Sequence, residues 1–159
     1  MNAQDRYNNE RYTDMTCFLA LRNIERKERR SRMKENWIYR RGDVYLANLD
    51  PYIGSEQGGT RPVVVLQNDV GNRYAPTLIV ATVTSRTEKK KYQPTHVLIA
   101  HNTAFEKPSV VQLEQIFTID KSRIQRFLGQ TTRHEMRRIE EALMNSLEIN
   151  EWDRRNADE

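Results

Sequence analysis

The sequence predicts an α+β protein that is mostly β, a compact antiparallel barrel or sandwich followed by one C-terminal helix. Three observations predict it. Short β-branched runs recur between residues 43 and 119. The five prolines all fall at the edges of those runs, where a missing N–H costs nothing. A helix-capping signature followed by apolar residues at helical spacing comes near the end of the chain.

The first strand is Asp43-Val-Tyr-Leu-Ala-Asn-Leu49, which has β-type composition and partial alternation. Pro62-Val-Val-Val-Leu-Gln67 is a continuous β-branched run, as expected of a strand buried on both faces. Thr77-Leu-Ile-Val-Ala-Thr-Val-Thr84, Thr95-His-Val-Leu-Ile99 and Ser109-Val-Val-Gln-Leu-Glu-Gln-Ile-Phe-Thr-Ile119 follow, with Pro51, Pro62, Pro76, Pro94 and Pro108 between or beside them. Gly129 and Gln130 break the chain before the helix. Thr132-Arg-His-Glu135 then fits a capping box, and Met136, Ile139, Leu143 and Leu147 form its apolar stripe.

Composition divides the chain into three parts: a polar, charged leader over residues 1–36, a folded domain over 37–150 and a polar tail over 151–159. The leader holds nine Lys/Arg and six Asp/Glu, which leaves seventeen basic against sixteen acidic side chains elsewhere. The net charge of +4 is therefore concentrated in the leader. Any nucleic-acid binding by the domain must come from local placement of charge rather than a general basic field. The leader is expected to be a solvated tail, flexible or helical, although its Arg-rich run 22–32 is of a kind that can hold RNA phosphates. A start of translation at Met33 would make it a misassigned extension; a mature N-terminus near Met1 by mass spectrometry refutes that.

One cysteine, Cys17, excludes an intramolecular disulfide and sits in the leader away from any motif. No apolar run approaches the roughly 18–20 residues that span a bilayer, and the start lacks the pattern of a secretory signal. The expectation is a cytoplasmic protein that binds no membrane. His96, His101 and His134 show no metal-ligand spacing, so no metal site and no cofactor are expected. His96 reads as strand packing and His134 as part of the capping box.

The most informative stretch is Asp50-Pro-Tyr-Ile-Gly-Ser-Glu-Gln-Gly-Gly-Thr-Arg-Pro62, which holds three of the six glycines. Such a loop can bring backbone N–H groups close to a ligand, and it presents Ser55, Glu56, Gln57 and Arg61. Taken alone, it also fits an ordinary hairpin loop. The order Arg41-Gly-Asp-Val-Tyr45, then this Gly-Ser-Glu-Gln-Gly-Gly-Thr-Arg-Pro segment, then Val65-Leu-Gln-Asn-Asp69 resembles the MazF/PemK/Kid toxins. The segments beginning at Pro76 and Pro94, and Leu113-Glu-Gln-Ile-Phe-Thr-Ile-Asp120, continue the resemblance in register from about Arg40 to Ile149.

That resemblance implies an SH3-like barrel of the CcdB/PemK kind, a homodimer, and a sequence-specific, metal-independent endoribonuclease. Such an enzyme cuts single-stranded RNA by attack of the ribose 2′-OH, leaving a 2′,3′-cyclic phosphate and a 5′-OH. It implies catalytic roles for Arg61 and Thr84. Attack by a 2′-OH needs a fixed positive group, proton transfer and an aligned backbone. Arg61 supplies the charge through its planar fork, and the Thr84 hydroxyl can donate to the phosphate. Glu56 has two open readings, acceptor of the 2′-OH proton or partner that sets the angle of Arg61. The resemblance places Asn68, Glu114 and Gln115 near the RNA, with Ser55 and Gln57; as bare residues the first three also read as polar positions facing water. Tyr52 and Tyr74 can stack on bases or cover a core. The implied partners are single-stranded RNA and a MazE-like antitoxin with a flexible acidic tail, with DNA reached only through the antitoxin complex. The competing class is a non-enzymatic CcdB-like toxin that binds a protein such as gyrase, which has no need of the Arg61–Thr84 pair.

Overall fold

A computed structural model describes residues 37–87 and 93–149, so the leader, Cys17 and the tail lie outside the described residues. The elements are β1 (Asp43–Asn48), β2 (Thr60–Val65), α1 (Asp69–Tyr74), β3 (Thr77–Thr84), β4 (His96–Ile99), β5 (Ser109–Asp120), a 3-10 turn (Lys121–Arg123), β6 (Ile124–Gln130) and α2 (Arg133–Leu147). The strands form one antiparallel sheet in the order β4-β5-β3-β2-β1-β6.

Val63, Val64 and Val65 are all fully buried, so both faces of β2 are covered. One face lies under the cluster that includes Val44, Val64, Ala81, Val97, Val111 and Leu113, which α2 joins through Ile139 and Ala142. No comparable layer of helix covers the other face among the described residues, where Val63, Val65, Val80 and Leu78 are buried. Six strands can bury both faces with one long helix only if the sheet folds over itself, as in the barrel that the resemblance implies. Its ladder remains open between β4 and β6. The gap is bridged by the turn after β4: Asn102 Nδ2 donates to Gln130 O at 3.1 Å and to Glu135 Oε2 at 2.8 Å. Gly129 makes the approach possible. A Cβ at this position (φ +151°) would lie 2.9 Å from Ala104 Cβ, so a side chain here would force β6 away from the turn.

The strand expectations meet the structure closely, with a two-residue shift at β2. Pro62 lies inside β2 rather than at its start, just beyond the last β2–β3 pair, Val63↔Thr82. On that side it leaves no rung empty. Two elements escape the sequence reading, α1 and β6. In α1 the buried residue is Asn72, while Val70 and Tyr74 are exposed. A six-residue helix with its apolar side outward carries no amphipathic signal. In β6, Gln125, Arg126 and Phe127 are exposed in succession, which hides the alternation.

The capping box forms as expected: Glu135 N donates to Thr132 Oγ1 at 3.2 Å and Thr132 N to Glu135 Oε2 at 2.7 Å. Ile139 is fully buried and Met136 and Leu143 pack against the core, but Leu147 is 56% exposed and does not join it. The helix ends one residue later, at Glu148 in the left-handed conformation.

Candidate active site

Antiparallel register places the first pair of candidate residues. Val63 faces Thr82. Two further residues along each strand bring Arg61 level with Thr84, since a step of two returns to the same face. Both line a pocket of about 570 Å³ at the ends of β2 and β3, together with Gln57.

The loop from 49 to 59 delivers Arg61 to this pocket. Leu49 N donates to Gly59 O at 3.0 Å and Gly59 N to Asp50 Oδ1 at 2.7 Å, closing the loop at its base. Arg123 NH1 donates to Asn48 O at 3.2 Å and Asp50 O at 2.5 Å, tying it to the 3-10 turn. Arg61 then donates from Nε to Gly58 O at 2.7 Å and from NH1 to Gln57 Oε1. Gln57 N in turn donates to Gln115 Oε1 at 3.3 Å. A chain of hydrogen bonds thus runs from β5 through the loop to the guanidinium.

Of the five N–H donors of Arg61, these bonds use two. No carboxylate stands within ion-pair distance of it among the described residues. Burial and the nearby Arg86 charge push its pKa below the ordinary arginine value, and Asp50 opposes this. Its charge is therefore poorly compensated and suited to an anion. The Thr84 hydroxyl oxygen accepts from Arg86 N at 3.2 Å, which leaves its O–H to donate.

Three candidates stand elsewhere. Arg61 is held by Gln57 and Gly58 O, with no hydrogen bond or ion pair to Glu56. Glu56 lies on the exposed turn, where Oε2 accepts from Ile53 N at 2.9 Å, and it does not line the pocket. Ser55 is exposed on the same turn and also outside the pocket. Asn68 caps α1, its Oδ1 accepting from Gly71 N at 2.8 Å, so that carboxamide oxygen has a local structural use.

Glu114 and Gln115 owe their positions to an irregularity in β5. Thr82 pairs with Gln112 and Ala81 with Ile116, so three residues of β5 stand where β3 has none. This bulge re-aims the side chains it contains. Glu114 Oε1 accepts from His96 Nε2 at 2.6 Å and Gln112 Nε2 at 3.2 Å. Burial pushes its pKa up, yet these hydrogen bonds and one from its own backbone outweigh burial and hold it below the usual carboxylate range. His96, buried as expected, thus has a defined partner. Tyr52 covers Gly58, and Tyr74 is 76% exposed with the Arg73 guanidinium 5.5 Å from its ring centroid.

The sequence reading missed Arg86, Lys107 and Arg126, which line the same pocket. Arg86, two residues beyond Thr84, was the most findable of these. Arg126 lies on the unforeseen β6, and Lys107 on a turn with no motif.

Gly58 tests the loop. A Cβ there would lie 1.9 Å from Tyr52 Cδ1, near the root of the ring, so loop or ring must move. Because Gly58 O also receives Arg61 Nε, Gly58→Ala is expected to lower any activity that depends on the placement of Arg61 by about ten- to a hundredfold, the cost of misplacing a reacting group by about 1 Å. Thermal unfolding should change far less. Equal losses in both would show that the loop acts through overall stability.

Fold and pocket together define a small antiparallel β domain with a cationic cleft at its strand ends. The pattern shared by the PemK-like, MazF-like toxins of type II toxin–antitoxin systems matches residues 40–147, and the chain belongs to that family. It is 51% identical to endoribonuclease EndoA of Bacillus subtilis over 113 residues, covering 70% of this chain and 97% of that protein. MazF from Deinococcus radiodurans superposes with a TM-score of 0.62 at 25% identity, over 70% of this chain and 98% of that one. A mycobacterial endoribonuclease solved in complex with its cognate antitoxin superposes with a TM-score of 0.58 at 24% identity, over 69% and 94% of the two chains.

Proposed function

We propose that this chain is an endoribonuclease toxin that cuts single-stranded RNA at short sequences by attack of the ribose 2′-OH, without a metal ion. The observation that carries the reading is the presence of an Arg61 guanidinium without an ion-pair partner among the described residues and the Thr84 hydroxyl on one pocket. The strong identity to EndoA supports it.

Charge grows on the phosphoryl oxygens as the 2′-oxygen attacks. Arg61, fixed beforehand by Gly58 O and Gln57, meets that charge without having to reorganise. Thr84 holds the phosphate in line. The lowered pKa of Arg61 also favours it as donor to the departing 5′-oxygen. For the 2′-OH proton, Glu106 lines the pocket, whereas Glu56 reaches it only if its exposed turn moves. Gln115 acts here by holding Gln57, with its amide N–H groups left for a base edge.

Four further parts of the reading go with the family: a homodimer, an antitoxin whose acidic tail covers the cationic pocket, DNA contact through the antitoxin complex, and a cytoplasmic site of action. The mycobacterial complex and the MazE–MazF structures of Deinococcus radiodurans support the antitoxin. No described helix is long and apolar enough to cross a membrane.

Purified protein incubated with long single-stranded RNA in EDTA is expected to give discrete fragments with 5′-OH ends. Intact RNA after incubation with correctly folded protein would refute the nuclease and favour a toxin that poisons a protein target.

A further inference from the structure

The pocket carries more positive charge than one phosphate requires. Beyond Arg61 and Arg86 it is lined by Lys107, from the turn between β4 and β5, and by Arg126 of β6. Arg86, Lys107 and Arg126 are exposed, and none of them forms an ion pair among the described residues. Like charges gathered around one concavity repel, and a polyanion relieves that repulsion.

These cations come from different strands and turns. Leu46 pairs with Pro62 on one side and with Arg126 on the other. Arg126 therefore stands two strands away from the end of β2 that carries Arg61, roughly 10 Å between backbones. Lys107 belongs to the same connection as Ala104, which packs against Gly129 of β6. The lining also holds apolar Leu46, Pro62, Phe105 and Leu128 and one carboxylate, Glu106, against the four cations. Phe105 packs against the core cluster and also borders the pocket.

We propose that this pocket holds one whole nucleotide of the RNA beside the bond to be cut. Its scissile phosphate lies at Arg61 and Thr84, the next phosphate lies at Lys107 and Arg126, and the base between them stacks on Phe105. The inference rests on the reading of this pocket as the RNA site. Two further cations on the pocket of Arg61 fit the repeating charge of a nucleic-acid backbone, and an aromatic and aliphatic part of the lining fits a base. The volume of about 570 Å³ lies within the range of small-ligand sites.

The test uses the full chain and one long single-stranded transcript, with binding and cleavage measured in parallel between about 50 and 200 mM salt. Lys107→Gln and Arg126→Gln should each flatten the log–log dependence of affinity on salt by about 0.7, and the double variant by about 1.4. Each single variant should raise KM about tenfold and lower kcat by less than about threefold, because the lost contact holds substrate in ground state and transition state alike. Phe105→Leu keeps an apolar side chain on the core but loses the aromatic face; it should weaken binding about fivefold or more without changing the slope. Arg137→Gln, an exposed helix position outside the pocket, is the charge control and should leave the slope at its wild-type value. Slopes unchanged in the pocket variants, or changed equally by the control, overturn the proposal. So does weaker binding of an oligoglutamate peptide with RNA affinity intact, which would assign the cations to a protein partner. If wild type binds RNA without cutting it, the nuclease reading falls while the slopes still decide this inference. If wild type does not bind RNA, both fall.

Discussion

Arg61→Ala is expected to lower kcat for RNA cleavage at least about a hundredfold, the cost seen when one preorganised donor to a developing oxyanion is removed. The structure explains why the loss should fall on kcat. Arg61 is held by Gly58 O and Gln57 before any substrate arrives, so its remaining donors need no rearrangement when charge builds. Ground-state binding should suffer less, because Arg86, Lys107 and Arg126 line the same pocket. Arg61→Lys should recover little of the rate. An ammonium carries the charge but cannot keep the fork that grips Gly58 O and Gln57 while presenting further donors to phosphate. Thr84→Val, combined with Arg61→Ala, should cost less than the sum of the two single losses, since both act on one phosphate. Single-turnover cleavage of a mapped transcript measures all four variants. Loss confined to KM would show that Arg61 only binds.

Ile139→Ala is expected to destabilise the domain by about 2–5 kcal/mol, the range for truncating a large aliphatic side chain in a packed core. Ile139 is fully buried and, with Ala142, brings α2 into the shared core of β1 to β5. Its loss leaves a cavity that the capping box at Thr132 and the Arg138 NH1 bond to Leu98 O, 3.0 Å, keep from collapsing. Leu147→Ala, at a position 56% exposed, should cost less than about 1 kcal/mol. Urea unfolding of the two variants compares them directly. Equal losses would mean that the last turn of the helix contributes to the core as the apolar spacing alone suggests.

The contrast between Ile139 and Leu147 marks one limit of the sequence. Helical spacing names a stripe, but only the packed structure shows where the sheet beneath it stops. The strands with dense β-branched composition, above all β3, were legible because every local preference agrees there. β6 was not, since its outward residues include Phe127 while Gly129 answers to Ala104, 25 positions earlier in the chain. At the site, motif order pointed to Arg61 and Thr84, and the register of β2 and β3 brings both to one pocket. Polar residues were harder. Asn68 and Glu114 read equally as ligand contacts or as local structure, and their first partners are Gly71 and His96. The Gln115–Gln57–Arg61 chain and the gathering of Lys107 and Arg126 on the same pocket depend on three-dimensional contacts that no spacing in the sequence displays.

In the proposed mechanism the RNA supplies its own nucleophile and this pocket stabilises the charge that results. A transcript whose cleavage site has been mapped, remade with a single 2′-deoxy sugar at the nucleotide before the cut, tests it most directly. Cutting at that position is expected to stop, while binding remains and other sites are still cut to 5′-OH ends. Cleavage at the deoxy position at an undiminished rate would contradict it.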